Sequence, residues 1–295
     1  MATATERYNK LLHQSPRYTV NGLWYPGSAE RHEKIREFPI RSDDITVACY
    51  PKSGTHWVER ILHFVTSDED LDNVKHYPSI PMEVSPPNLP KTSLDLLEES
   101  PSPRVISTHL PFELCPREIQ EGKSKIILVI RNPKDVAVSH FYFHKKIKSI
   151  GSFTDFAWQD FFEVFFSPDT LPYGSWFSHT KKWLQHRNDP NLLLVKFEDL
   201  KTDLTNGVSR IAEFLGRPVS GNRAAAIAAK CQFDNMKKEG ESEDREVDNI
   251  GISVFMRKGQ VGDWKSHFTV AQNEMFDEVY QREMGDTDLA IQFET

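Results

Sequence analysis

The run ITVACYPKSGTHWVERILHFV at 45–65 constrains the fold of this chain more than any other segment. Ile45 to Tyr50 is short, apolar and partly β-branched, which predicts a buried strand. VERILHFV carries apolar residues at helical spacing. The turn between them, PKSGTHW, would place a helix N-terminus at the end of the strand. Such a terminus offers unpaired N–H groups and the positive end of a dipole, which suits a phosphate or sulfate. Gly54 lets the backbone approach an anion closely. Lys52 adds a point charge beside it, and Thr55 and His56 add hydrogen-bond donors. The loop is P-loop-like, but the GxxxxGK[ST] spacing is absent. The competing reading is an ordinary strand-to-helix turn.

The rest of the chain repeats this alternation. Arg104 to Thr108, Lys125 to Ile130 and Asn191 to Lys196 read as further strands. RNPKDVAVSHFYFHKK after Ile130, and segments 204–215, 223–230 and 270–284, read as helices. Amphipathic stretches lie at 153–166 and 175–187, and a short helix at 94–98 sits in the proline-rich segment 78–103. The first forty residues, with Trp24 and Tyr25, read as a wrapping N-terminal segment. The acidic run at 239–250 reads as a solvated loop, or alternatively as a lid. Strands alternating with helices predict an α/β fold with a central parallel sheet and helices on both faces. With 295 residues, no internal repeat and no Gly/Ser linker, a single domain over 1–295 is expected.

Charge and cysteine usage narrow the partners. Lys plus Arg is 36 and Asp plus Glu is 43, for a net charge of -7. A general nucleic-acid binder is usually basic, so any anionic ligand here needs a local basic site. The longest aliphatic run, Ile126 to Ile130, is too short to cross a membrane. The N-terminus lacks an apolar signal core, and Cys49, Cys115 and Cys231 have no metal-ligand spacing. The expectation is a cytoplasmic protein with reduced thiols, no membrane partner and no metal.

Two further segments supply cations. In KIILVIRNPKDVAVSH, Arg131 follows the strand and Ser139 lies about two helical turns on. Both are placed to reach one phosphate, or Arg131 pairs with Asp135 instead. In FMRKGQVGDWKSHF, Arg257, Lys258 and Gly259 set two cations beside a flexible residue, which fits a clamp on a phosphate dianion.

Taken together, these segments resemble the cytosolic sulfotransferases that use 3′-phosphoadenosine-5′-phosphosulfate. The matching blocks are YPKSGTHW at 50–57, STHLP at 107–111, IRNPKDVAVSHF at 130–141, YGSWFSH at 173–179, FED at 197–199 and FMRKGQVGDWKSHFTVAQNE at 255–274. The match runs from about Asp44 to about Met284. The resemblance implies that Lys52, Ser53, Gly54, Thr55 and His56 cradle the 5′-phosphosulfate. It implies that Trp57 and Phe233 sandwich the adenine, with Phe197 beside it. Arg131, Ser139, Arg257, Lys258 and Gly259 would hold the 3′-phosphate. His109 would be the general base, taking a proton from an acceptor hydroxyl as that oxygen attacks sulfur. Lys52 would neutralise charge on the leaving phosphate oxygen. The nucleotide product would be 3′-phosphoadenosine-5′-phosphate, with no metal required.

Three positions depart from the family pattern. Ser107 stands where many relatives carry lysine, so one positive charge is lost near the transferring group. Phe197 replaces a tyrosine and loses its hydroxyl. His56 replaces a frequent threonine and adds a titratable group. By position, Trp24, Met82 and Phe143 are expected to line a pocket for a small hydrophobic phenol or alcohol; core packing is the competing reading. Lys265, Thr269, Val270 and Glu274 match a short homodimer segment, and Thr269 also fits a helix N-cap. Two rivals remain at this stage. One is a non-catalytic binder of the cofactor or its desulfated product. The other is a P-loop nucleotide kinase, with Glu198 and Asp199 as its metal-supporting acids.

Overall fold

The computed structural model describes residues 2–12, 16–74, 80–85, 90–147, 150–243 and 256–294, with 239–243 described by their backbone alone. In chain order its elements are α1 (Ala4–Leu11), β1 (Arg17–Val20), β2 (Leu23–Pro26), α2 (Ala29–Arg36), β3 (Ile45–Cys49), α3 (Thr55–Thr66), α4 (Ser93–Glu99), β4 (Val105–Thr108), α5 (Arg117–Gln120) and β5 (Lys125–Ile130). They continue with α6 (Pro133–Lys146), α7 (Trp158–Phe166), α8 (Trp176–Leu184), β6 (Leu192–Lys196), α9 (Phe197–Thr202), α10 (Leu204–Phe214), α11 (Gly221–Lys230), α12 (Phe233–Glu243) and α13 (Val270–Met284).

β3 to β6 form one parallel sheet in the order β4-β3-β5-β6. The chain leaves β3 toward β4 on one side, then crosses to β5 on the other. Strand order therefore reverses around β3 and β5, and open α/β sheets hold ligands beyond the carboxyl ends of strands at such a point. Side chains on a strand alternate between faces. Ala48, Ile126, Leu128 and Ile130 enter one core with Val136 and Phe141 of α6 and the aromatic residues of α7 and α8. Ile45, Val47, Cys49, Ile127 and Val129 enter a second core with residues of α3, α10 and α11. The sheet is thus covered on both faces, which is why its strands read as continuous apolar runs.

Local chemistry sets the element ends. Asn132 caps α6 through Lys134 N–H (2.9 Å), and Pro133 opens that helix where its missing N–H costs nothing. Thr269 and Gln272 form a reciprocal capping box on α13. Buried Arg104 donates to Asp44 Oδ1 at 2.9 Å and to Pro39 O at 2.8 Å, fixing the entry to β4 beside that of β3.

Several expectations need revision. The N-terminal segment is more than a wrap: it holds α1, the β1–β2 hairpin and α2. Asn21 and Gly22 both have positive φ (51° and 80°), as a two-residue type I′ hairpin turn requires. The amphipathic stretches at 153–166 and 175–187 hold the shorter helices α7 and α8, and Phe153 and Phe156 pack on Tyr8 from a loop ahead of α7. Of the acidic run 239–250, the backbone of 239–243 continues α12, and the rest lies outside the described residues. All three cysteines are buried free thiols.

Candidate functional site

The loop between β3 and α3 opens the site at the reversal point of the sheet. Lys52 adopts φ 72°, a left-handed conformation that costs a non-glycine residue about 1–3 kcal/mol and that clusters at functional sites. Gly54 has φ 112°, and a Cβ there would stand 2.9 Å from the Phe197 ring. Only glycine meets both demands. The N–H groups of Trp57 and Val58 turn back to Gly54 O at 3.1 and 3.2 Å. As at any helix start, the amides ahead of them have no intrahelical carbonyl to reach. Ser53 is fully buried and its Oγ has no hydrogen-bond partner.

Arg131 joins this loop to two distant segments. Its Nη1 donates to Lys52 O and its Nη2 to Gln260 O, both at 3.2 Å. Its guanidinium lies 4.3 Å from the Phe197 ring centroid. It forms no ion pair with Asp135, contrary to the alternative drawn from their spacing. The Asp135 carboxylate instead accepts Gly262 N–H (2.8 Å) and Trp264 N–H (3.0 Å), and so ties the C-terminal RKG segment to α6. Arg257 and Lys258 both donate to Asp263, Lys258 at 2.6 Å. Burial raises the Asp263 pKa, but hydrogen bonds from Lys258 and Arg257 outweigh it and leave the value lowered. Ser139 is half-buried on α6.

The cations sense one another. Burial pulls Lys52 down to about 7, with further lowering from Arg131, Lys146 and Arg257. Burial also lowers Arg131, and Arg257 adds to it. A locally basic recess therefore exists within an acidic chain. Nε of Arg131 and Nε of Arg257 are buried without a hydrogen-bond partner. Orphaned buried donors of this kind mark a place where a further acceptor fits.

Flat rings flank the recess. Trp57 is held by its Nε1 on Cys231 O (2.8 Å) and meets Phe197 edge-on with centroids 5.0 Å apart. Gly259 has φ 60°, and a Cβ there would overlap the Phe233 ring. Phe197, Phe233, Trp57, Gly54 and Gly259 thus come together from four segments.

His109 stands just past β4. Its Nδ1 hydrogen-bonds Cys49 O at 2.8 Å, which places the proton on Nδ1 and leaves Nε2 as an acceptor. Its backbone N–H donates to Glu83 Oε1 (2.8 Å), and its carbonyl accepts from His179 Nε2 (3.0 Å). Burial depresses His109 to about 4, so the imidazole is neutral near pH 7. Sequence reasoning missed the residues that hold it. Glu83 is fully buried and also accepts from Thr108 Oγ1 (3.0 Å); burial raises its pKa, and Tyr173 shares a hydrogen bond with it. The Tyr173 ring packs edge-on against His109 at 5.6 Å.

The residues expected to line an acceptor pocket are placed unevenly. Phe143 lies 4.5 Å below the Lys52 ammonium. Trp24 reaches the site through its carbonyl, which accepts Tyr173 N–H at 3.1 Å, and its Nε1 donates to Thr170 O. Met82 is fully buried in the larger core, and its N–H donates to Ser107 O (2.9 Å). Ser107 is 2% exposed.

Glu198 is buried, and its Oε2 has no hydrogen-bond partner. Its Oε1 accepts Asn132 N–H at 2.9 Å, and burial raises it to about 7. Asp199 is exposed and lies 3.9 Å from Lys196. At the segment expected to dimerise, Val270 is 75% exposed, Glu274 is exposed, and Lys265 pairs with Glu294 at 2.6 Å.

A family model described as "Sulfotransferase domain" matches residues 42–288. The chain is 37% identical to human Sulfotransferase 2A1 over 276 residues, covering 90% of this chain and 94% of that protein. It is 37% identical to Sulfotransferase 1E1 of Bos taurus over 268 residues, covering 88% and 90%. Among solved structures it is similar to mouse sulfotransferase SULT7A1 complexed with PAP, at 32% identity and a TM-score of 0.78, covering 92% and 96%. It is also similar to retinol dehydratase in complex with androsterone and inactive cofactor PAP, at 25% identity and a TM-score of 0.76, covering 88% and 86%.

Proposed function

This chain belongs to the sulfotransferase family, and we propose that it transfers the sulfuryl group of 3′-phosphoadenosine-5′-phosphosulfate to a hydroxyl of a small hydrophobic acceptor. The observation that carries the donor assignment is the position of Arg131. It hydrogen-bonds both the β3–α3 loop and the RKG segment, so two phosphate-type cradles share one recess. A nucleotide with phosphates at both 5′ and 3′ positions fits that pair. The orphaned Ser53 Oγ and the Nε atoms of Arg131 and Arg257 supply donors for its oxygens. Bound there, the donor supplies an activated sulfur–oxygen bond.

In this reading Lys52, Ser53, Gly54, Thr55 and His56 hold the 5′ end. Arg131, Ser139, Arg257, Lys258 and Gly259 hold the 3′-phosphate, and Trp57, Phe197 and Phe233 enclose the adenine. The Lys52 ammonium is favoured by the arriving anion and neutralises charge on the leaving phosphate oxygen as the sulfur–oxygen bond breaks. His109 Nε2 takes the acceptor proton as the new oxygen–sulfur bond forms. Cys49 O keeps the imidazole in the tautomer that leaves Nε2 open, while Glu83 and His179 hold the backbone N–H and carbonyl of His109. The acceptor contacts are Phe143 and, more remotely, Trp24 and Met82. A hydrophobic alcohol or phenol is supported by the similar protein that binds androsterone. Among the described residues no helix is long and apolar enough to cross a membrane, and a cytoplasmic location is part of the proposal. So is a weak homodimer through Lys265, Thr269, Val270 and Glu274.

The base assignment is tested with labelled donor at saturation and a panel of phenols, sterols, aliphatic alcohols and amines. His109→Ala should lower turnover by about 10²–10⁴-fold while donor affinity changes little. Near-wild-type turnover in that variant sinks the assignment, and the panel identifies the acceptor class.

A further inference from the structure

The half-site assigned to the 3′-phosphate draws its cations from two segments far apart in the chain, Arg131 after β5 and the RKG segment at 257–259. Asp135 and Gln260 join the two regions. A further tie comes from neither. The carbonyl oxygen of Phe293 accepts Trp264 Nε1–H at 2.8 Å and Asn132 Nδ2–H at 3.2 Å. A carbonyl oxygen has two lone pairs, so it can take one donor from each side. Trp264 directly follows Asp263, which holds both Arg257 and Lys258. Asn132 directly follows Arg131, and its Oδ1 caps α6 through Lys134 N–H. Both partners of the shared oxygen are thus chain neighbours of the groups that carry or hold the phosphate cations.

Phe293 is itself held in place. Its ring lies 4.9 Å from Lys134 Nζ, and the Trp264 ring lies 4.4 Å from the same ammonium. The Lys134 side chain is only 3% exposed, which strengthens such cation–ring contacts. The Phe293 ring also meets Tyr280 of α13 edge-on at 5.2 Å. Just upstream, Leu289 and Ile291 pack on the larger core, and Ala290 O accepts Lys196 Nζ at 3.1 Å at the end of β6. Side-chain packing therefore sets where one backbone oxygen stands. Binding constellations depend on supports of this kind, because groups displaced by even an ångström lose much of their effect.

We propose that Phe293 is a positioning residue of the donor site: its carbonyl, shared by Asn132 and Trp264, locks the RKG segment against the start of α6 and so sets the spacing at which Arg131, Arg257 and Lys258 meet the 3′-phosphate. This deepens the donor reading above and rests on it. The 5′ cradle is built on the start of α3, so the effect falls on the 3′ end of the nucleotide.

The experiment measures by calorimetry the Kd of 3′-phosphoadenosine-5′-phosphate and of adenosine 5′-monophosphate, which lacks the 3′ group, with a thermal melt on each variant. Trp264→Phe keeps an aromatic ring and removes the indole N–H. Phe293→Ala keeps the carbonyl and removes the half-buried ring that anchors it. Each should weaken the bisphosphate about fivefold and leave the monophosphate within about twofold. The double variant should lose less than the product of the two, because both act through one oxygen. A penalty that falls equally on both nucleotides, or a lower Tm with an unchanged nucleotide preference, marks a structural role only and overturns the proposal. So does a double variant whose losses multiply in full. If Phe293→Ala fails to fold, Trp264→Phe alone decides the matter: an unchanged preference overturns the proposal, and a selective loss of the bisphosphate supports it. If wild type binds the two nucleotides equally, the 3′-phosphate assignment itself fails, a result distinct from a wild type that prefers the bisphosphate and variants that keep that preference.

Discussion

Replacing Gly259 by alanine separates nucleotide binding from folding. The residue sits at φ 60°, where a Cβ costs about 1–2 kcal/mol of stability. For a chain of this size that corresponds to a fall in Tm of about 2–3 °C. The added methyl would also overlap the Phe233 ring. Phe233 is only half-buried, so it can swing aside without opening a core cavity. Once it moves, the face assigned to the adenine is gone. A base–aromatic stack is worth about 1–3 kcal/mol. The bisphosphate Kd should therefore rise roughly 5- to 150-fold. Calorimetry gives the affinity and a thermal melt gives the stability. A second comparison isolates the ring: in a Phe233→Ala background, Gly259→Ala should keep its Tm loss but lose most of its effect on Kd. An unchanged Kd in Gly259→Ala, or an equal Kd penalty with and without Phe233, would refute the assignment of this ring to the base.

Three further outcomes follow from the charges. The kcat/KM for the donor should be bell-shaped: the acid limb lies near pH 4, where His109 protonates, and the alkaline limb near 7, where Lys52 loses its proton. An ordinary histidine at about 6.5 would cost roughly 30-fold at pH 5, so retention of activity there checks the value directly. Glu198 is raised to about 7 by burial, so the folded state keeps its proton while the unfolded chain ionises from about 4.5. Stability from this group is lost as pH rises across that window; Glu198→Gln should gain on wild type by about 3 kcal/mol between pH 4 and 8, read from denaturant melts. Lys258→Ala should weaken the bisphosphate about 5- to 50-fold and leave adenosine 5′-monophosphate nearly unchanged, since only the former carries the 3′ group.

The parallel sheet was legible because its strands are buried on both faces and read as unbroken apolar runs. Lys125–Ile130 needed no tertiary information. The β1–β2 hairpin went unread in the wrapping segment: Asn21-Gly22 is a strong turn signal, but each strand has only four residues and the alternation is short. The phosphate cradles were legible as local combinations of strand end, glycine and cation. The supports around them were not. Glu83 acts on His109 from 26 residues away, and nothing in its proline-rich neighbourhood marks it. Asp135 has the helical spacing to pair with Arg131, yet two amides more than 125 residues on take its carboxylate. Asp263 holds both cations of the RKG segment, a contact set by the turn at Gly262 and not by composition.

The central claim is that three basic segments far apart in the sequence build one site for a nucleotide with two separate phosphates. Titrating wild type with 3′-phosphoadenosine-5′-phosphate, and with ADP plus magnesium as comparison, tests it most directly. The account predicts that the 3′,5′-bisphosphate binds at least about tenfold more tightly. Tighter binding of magnesium ADP, or no binding of the bisphosphate, would contradict it.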